Sequence, residues 1–350
     1  MFHFRDTLAG STAIARAPAL NADRYVRDQF TTFDQATYDS AGAFLVGELE
    51  RLDPMIHEPL ISIQWPRDID LRTDVQMGDT TSSYTLSTFA MTGGVTPGGL
   101  NWASAETTTI PRAQLDITKI VNPLNLVAYE VAYTLPELES ARLTGRPIDT
   151  QMLAAMNRKH QMDIDQVVYV GDSTISTTGL LNNAGVSNVS NVAVGSGGLM
   201  QWVNKSPDEI RADVNELIVS VWKTTGYAAP PTKLLVAPGP FGYVSTTIAS
   251  SAANTTILRF LEENNVLTAE TGQKLEIKSC KWLDKALLTG TYDRMVAYGQ
   301  RADYVRFPMV PLIPVQPQYS GIWIKVPYFG RLGVIESVYP ETLGYRDGIG

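Results

Sequence analysis

The spacing of apolar residues changes period several times along the chain, and each change marks a predicted element. Between Thr37 and Leu52, Ala41, Phe44, Leu45 and Leu49 recur at three-to-four spacing, which predicts a helix after an opening stretch of small and polar residues that reads as an extended arm. From Ile61 the period becomes two. Ile61, Ile63 and Trp65, then Ile69, Leu71, Thr73 and Val75, alternate with Asp68, Asp70, Arg72 and Asp74, which predicts a strand with one solvated face. Residues 83–91 and 106–121 are two further β-prone runs, separated by a breaker segment containing Gly93, Gly94, Pro97, Gly98 and Gly99.

The apolar run 124–133 predicts another strand, and 136–143 a turn or short helix. Gly145 and Pro147 lead into a helix over 148–169, about 30 Å long, in which Ile148, Met152, Ala155, Met156 and Val167 fit a 3.6 period. Gly171 ends it, and 179–194, rich in Asn, Ser and Gly, reads as loop. The clearest local signal is Ser206-Pro207-Asp208-Glu209, a capping box with proline at the first helical position, followed by Ile210, Val214, Leu217, Ile218 and Val221. Strands are expected at 233–237, 275–279 and 293–298, with a short helix at 255–263, so 171–300 reads as an α/β region. Beyond Arg301, Pro308, Pro311, Pro314 and Pro317 punctuate strands that include 322–326 and 334–338. The fold class is α+β.

A ribbon with Ser-rich and Thr-rich flanks and few large apolar residues buries too little surface to stand alone. So long a stretch with so little helix is better read as an arm laid on another subunit than as part of one compact domain.

Composition narrows the classes. A chain of 350 residues, 44% hydrophobic, can bury a substantial core. It contains no apolar run of about 18 residues, and its opening lacks the order of a secretion signal, so a cytoplasmically made protein with no membrane partner is expected. Cys280 with His3, His57 and His160 offers no zinc-ligand spacing, and a lone cysteine fits a reducing compartment. The net charge of −8 argues against a protein built to grip phosphate backbones. No lysine precedes Lys119, so the amino-terminal third is arginine-only, which suits interfaces.

Candidate chemistry is sparse, and no catalytic, cofactor or metal residues are assigned. Gly195-Ser196-Gly197-Gly198 lacks the helix that a nucleophile elbow needs, and the glycines at 93–99 lead to Leu100 and Asn101 rather than to a phosphate-binding lysine. The acid pairs Asp68 with Asp70, Glu137 with Glu139, and Asp163 with Asp165 read as solvated surface; the last pair stands two apart on a helix and cannot converge. His160 reads as exposed or interfacial. The six tryptophans, at 65, 102, 202, 222, 282 and 323, are scattered, so packing in a core or an interface is the expectation for each.

The stretch from Tyr133 to Asn182 carries a resemblance: a strand, Leu135-Pro136-Glu137-Leu138, a long helix ending Val168-Tyr169-Val170-Gly171-Asp172, then Thr178-Gly179-Leu180-Leu181-Asn182. It is similar to the strand, spine helix, Tyr-x-Gly-Asp and Gly-Leu-x-Asn series of the Hong Kong 97-type capsid fold, shared by major capsid proteins of tailed phages and by encapsulin shells. Pro314 to Tyr328 and Val334 to Gly348 resemble the encapsulin-like branch. The resemblance implies an N-terminal arm and helix at 1–60, an extended β-hairpin loop at 61–122, a peripheral domain with a long spine helix at 123–170, an axial α/β domain at 171–300, and a return to the peripheral domain at 301–350. The implied function is a structural capsid subunit that self-assembles through pentamers and hexamers into the icosahedral head around double-stranded DNA, and is not an enzyme.

Some members of this family join subunits through a loop lysine, and residues 61–118 contain none, so a non-covalent shell is expected. The assembly arm is assigned to Ile69, Leu71, Arg72, Tyr84, Phe89, Trp102 and Arg112. Expected partners are further copies of the chain, a separate scaffolding protein because no coiled-coil leader precedes the arm, a portal, a cement protein as added support, and packaged DNA contacted non-specifically. The arm 1–35, the stretch 92–99 and the loop 183–205 are expected to absorb the difference between rings. The competing readings are an encapsulin compartment, a small-molecule enzyme using 205–300, and a phage tail or adhesion component.

Overall fold

The structure is a computed structural model that describes residues 60–92, 112–145, 148–250, 254–288 and 292–350. The chain divides into units 1–60 and 61–350. The arm and helix expected before residue 60, the glycines at 93–99 and Trp102 lie outside the described residues.

The second unit opens with a single helical turn, α1 (Trp65–Asp68), and the short strand β1 (Asp70–Arg72). The period-two pattern had predicted one long strand here. Pro66 sits at the start of the turn, where its missing N–H costs nothing and its fixed φ favours the helix. The turn rotates Asp68 inward, so a residue expected on a wet face is fully buried. Next come β2 (Thr81–Thr92) and β3 (Arg112–Pro123), which pair antiparallel as a two-stranded ribbon. After β4 (Asn125–Thr134) the chain enters α2 (Leu135–Thr144), capped at Thr134 by a reciprocal pair of bonds with Glu137.

The long helix α3 (Ile148–Tyr169) has the expected bounds but a different buried face. Met156, His160, Ile164 and Val168 face the core at spacing four, whereas Ala155 is exposed and Val167 half-buried. Among the described residues its first turns bury no side chain fully, so apolar spacing there did not translate into burial. The chain reverses at the Gly171 to Asn182 motif. Leu180 and Leu181 N–H groups donate to the carbonyls of Val168 and Tyr169, while the Asn182 side chain accepts from Gly179 N at 2.7 Å and donates to the Val170 carbonyl at 2.8 Å. A Cβ at position 179 would stand 2.3 Å from the Tyr169 carbonyl carbon, so only glycine permits this approach.

Strand β5 (Val189–Asn191) follows, then α4 (Pro207–Thr224), whose capping box joins Ser206 and Glu209. Hydrogen bonds from the Ser206 and Ser196 N–H groups lower the exposed Glu209 carboxyl to about 2. The fully buried β6 (Lys233–Val236), the small hairpin β7 (Ile248–Ser250) and β8 (Thr255–Thr256), and β9 (Glu276–Ser279) and β10 (Arg294–Tyr298) complete this region. The remaining strands are β11 (Val305–Pro314), β12 (Gln318–Ser320), β13 (Trp323–Leu332), β14 (Glu336–Ser337) and β15 (Leu343–Asp347).

Two larger sheets organise these strands. One has five strands in the order β5-β15-β10-β6-β9, and the other has β1-β11-β13-β12 with β14 also on β11 and β4 also on β13. The segment 301–350 was expected to return as one piece. It divides instead: β11 to β14 join β1 and β4 in the six-stranded sheet, and β15 crosses to the five-stranded one, between β5 and β10. Helix α4 lies so close over β15 that a Cβ at position 344 would meet Val221 at 2.4 Å. Pro311 falls where the β11–β13 register shifts between Val310 and Ile313, which spares the ladder a missing donor.

Two buried carboxylates join α1 and α3 to the five-stranded sheet. Asp68 accepts from Arg67 Nε at 2.7 Å and Nη2 at 2.9 Å, from the Tyr169 hydroxyl, and from the ammonium of Lys233 at 3.0 Å. Burial alone would raise its carboxyl, but these donors hold it below the usual range. Lys233 also donates to the Arg67 carbonyl at 2.8 Å and to Gln300 at 2.9 Å, and the Tyr298 hydroxyl donates to the Asp68 carbonyl at 2.7 Å. Asp165 accepts from the N–H groups of Gln64 and Trp65 at 2.9 and 3.0 Å, from Trp282 Nε1 at 2.7 Å, and pairs with Lys281 at 2.8 Å. Neither is the solvated acid that spacing had implied.

His160 was expected to be exposed or interfacial and is 5% exposed, its ring edge-on to Tyr129 and its Nδ1 without a hydrogen-bond partner among the described residues. Asp163, engaged by Tyr129 and Lys159, is the nearby acid. Desolvation dominates and pushes the imidazole below its ordinary value of 6.5 despite the Asp163 charge.

Two outcomes follow. Asp68→Asn leaves the buried Lys233 ammonium without its buried counter-charge and should cost about 3–5 kcal/mol in urea unfolding, with part restored in Asp68→Asn/Lys233→Met; a loss under about 1 kcal/mol would contradict the buried pairing. The folded chain resists protonating His160, so this residue's contribution is complete above pH 6.5 and declines as pH falls toward the folded pKa. His160→Gln should therefore flatten the fall in thermal midpoint between about pH 7 and about pH 5; an unchanged slope would assign that fall to other groups.

Candidate assembly interface

The ribbon is built by in-register pairing from Thr81 opposite Pro123 to Thr92 opposite Arg112. Directly opposed residues share a face, so the register sorts the side chains into two sets. Ser83 with Val121, Thr85 with Lys119, Ser87 with Ile117 and Phe89 with Leu115 form one face; Ser82 with Asn122, Tyr84 with Ile120, Leu86 with Thr118 and Thr88 with Asp116 form the other. The second face is the one that meets the body, through Ser82 and Tyr84. The first is unusually apolar for a free surface: Phe89 is 84% exposed, Leu115 64%, Ile117 61% and Val121 53%.

The seven residues assigned to the arm separate accordingly. Phe89 lies on the exposed apolar face, and Arg112 is exposed at the far end of β3. Tyr84 stands at the root, its hydroxyl donating to the Ser337 carbonyl at 3.3 Å. Ile69, Leu71 and Arg72 are not on the ribbon at all: β1 pairs parallel with β11 inside the six-stranded sheet, and Ile69 is buried in the core. Trp102 lies outside the described residues. The arm thus begins at residue 81 rather than 61, because the stretch before it is claimed by the body.

Leu115, Ile117 and Val121 were not assigned to the arm, although Gln114, Asp116 and Thr118 alternate with Leu115 and Ile117 in a period-two signal. Lys119 corrects a second expectation. It belongs to β3 and is exposed on the apolar face opposite Thr85, so the ribbon carries a lysine near its root.

A further exposed apolar group lies at one end of the six-stranded sheet, where β12, β13 and the turn between them present Tyr319, Ile322 and Trp323. Strand β4 pairs only with β13 among the described residues, leaving its other edge open.

The candidate chemical groups have structural partners. Glu137 caps α2, and Glu139 lies 3.8 Å from Arg142. Ser196 N–H donates to Glu209 at 2.7 Å, which makes the Gly195 to Gly198 segment a turn tied to the start of α4. Lys205 and Asp213 form a buried pair at 2.5 Å, with Trp202 Nε1 donating to the same carboxylate; burial pushes Asp213 upward against both. Burial likewise pushes the Cys280 thiol up to about 12, an inert setting. No group of three or more His, Cys, Asp or Glu among the described residues could hold a metal ion, and no helix among them is long and apolar enough to cross a membrane.

Comparison with known proteins bears on this geometry. The fold resembles the capsid of Myoviridae phage XM1, with a TM-score of 0.72 at 16% identity over 88% of this chain and 100% of that one. It resembles the capsid of a native GTA particle, at 0.57 and 13% over 91% and 100%, and the SrpI encapsulin of Synechococcus elongatus, at 0.50 and 11% over 91% and 96%. These likenesses establish the α+β fold of phage capsids and encapsulins. No curated protein sequence matches the chain. The family model described as major capsid protein matches residues 98–349, which takes in β3 of the ribbon, the long helix, the five-stranded sheet and all of the six-stranded sheet but β1. A match over that much of the sequence means that the chain belongs to the major capsid protein family.

Proposed function

We propose that this major capsid protein builds the head of a tailed phage, identical subunits making heterologous contacts that close into rings of five and six and then into an icosahedral shell. It acts by self-association and catalyses nothing. The observation that carries the reading is the ribbon's exposed face, where Phe89, Leu115, Ile117 and Val121 form a row that no described residue of their own subunit covers. Burying each against a neighbour would contribute about 1.5–3 kcal/mol per contact, repeated at every subunit. The grip is non-covalent, with burial rather than Lys119 chemistry as its source.

The five-stranded sheet with α4 would form the axial part of each subunit, and the six-stranded sheet with α3 the peripheral part. The net charge of −8 suits storage of DNA without tight binding. Assembly in the bacterial cytoplasm with a separate scaffolding protein, a portal and a cement protein completes the proposal.

Substituting Phe89→Ser and Leu115→Ser together should leave a subunit with the unaltered thermal midpoint that no longer forms shells, read by sedimentation and electron microscopy. Normal shells from this variant would refute the role given to the ribbon face. In shells of the unaltered chain, boiling in detergent should release single chains; covalent ladders on a gel would refute the non-covalent grip.

A further inference from the structure

The root of the ribbon is held by a buried carboxylate that shell formation by self-association does not by itself explain. Glu336 of β14 is fully buried, yet three other strands converge on it. Ser82 of β2 donates its hydroxyl to Oε1, Arg306 of β11 donates Nε to Oε2 at 2.8 Å, and Arg72 of β1 donates Nη1 at 3.2 Å to each oxygen. The same Arg72 reaches the Ser82 hydroxyl at 2.9 Å and the Ser83 carbonyl at 3.1 Å, and its other nitrogens form a two-pronged pair with Asp74 at 2.7 and 3.0 Å. Two arginines are thus matched by two carboxylates. Arg331 of β13 secures the start of the approach and the end of β3 by donating to the carbonyls of Met77 at 2.7 Å and Leu124 at 2.9 Å.

Beyond this root, β3 is exposed from Arg112 to Lys119, and Thr85, Ser87, Thr88 and Phe89 of β2 are exposed as well. The ribbon is a lever of about 40 Å, from 12 residues per strand. A rotation of about 10° at the root would carry its far end about 7 Å, more than the width of a side chain. The angle at the root therefore decides whether Phe89 meets its place on a neighbour. A tilt that breaks the Ser82 bond leaves a buried carboxylate short of a donor, a cost that falls only on the wrong angles.

We propose that Glu336 is a positioning residue for assembly, which locks the direction of the ribbon by binding Ser82, Arg72 and Arg306 at once. The inference rests on the role given to the ribbon face. Freed of the lock, the ribbon spreads over many directions, and apparent association falls with the fraction that remains competent.

The test uses the full chain under conditions where the unaltered protein forms shells. Glu336→Gln and, separately, Ser82→Ala should each lower the yield of regular shells by about tenfold, while amide exchange speeds up at 80–84 and 120–124 and stays unchanged in 233–236 and 294–298. Ser82→Ala removes one tie and no charge, so it answers the question even where Glu336→Gln fails to fold. Arg306→Lys, which keeps a donor on Glu336, should assemble better than Arg306→Ala. Faster exchange spread equally through the five-stranded sheet would make Glu336 merely structural and overturn the lock. Normal shells from both root variants, with Phe89→Ser/Leu115→Ser still unable to assemble, would overturn the lock alone. Normal shells from the face variant would overturn the role of the ribbon, and the lock with it.

Discussion

The carboxylate of Asp68 is the point on which the second unit converges. It lies fully buried at the end of a single helical turn, and its oxygens take up Arg67, Tyr169 and Lys233, which belong to the entry segment, the end of the long helix and the five-stranded sheet. A buried charge is tolerated only when its partners are all present, so these elements have one mutual arrangement or a costly one. Asp165 repeats the device one turn earlier on the helix, binding the backbone that leads into the turn and the Lys281-Trp282 pair beyond β9. Apolar packing supplies most of the stabilisation, because a continuous core runs from Trp65 to Ile349. The ionic hubs supply register, which apolar contacts specify poorly.

The same logic recurs at the ribbon's root with a different outcome. Asp68 and Asp165 hold parts of the body to one another, whereas Glu336 holds the body to the root of a ribbon that is largely exposed among the described residues. The body is therefore tied together by buried charges, and the ribbon presents an exposed apolar face that the proposed contacts between subunits would use. That division fits a shell subunit, whose own stability and whose contacts with neighbours have to be separable.

Much of the fold was legible in the sequence. The long helix and the start of α4 were readable because capping and proline placement act within a few residues, and the two ribbon strands because β-prone runs flank a cluster of glycines. The ribbon's exposed face was readable in principle from the alternation at 114–118, and went unassigned because Leu115 and Ile117 look the same whether covered or free. The acids were misjudged for a related reason. Asp68 and Asp165 sit in patterns that usually mean solvent, and nothing local distinguishes a solvated aspartate from one awaiting Lys233 or Lys281.

What the sequence by itself determined is most of the longer elements, their order, the α+β class and the likeness to capsid proteins, all of which depend on period, caps and turns that are local in the chain. Only the tertiary structure decided that residues 69–72 belong to the body, that β15 crosses to the second sheet, and which charges are buried. Each of those outcomes rests on partners far apart in the chain, Asp68 with Lys233 and Ser82 with Glu336 among them. Burial of a charge is a property of the whole set of partners, and no window of sequence contains them all.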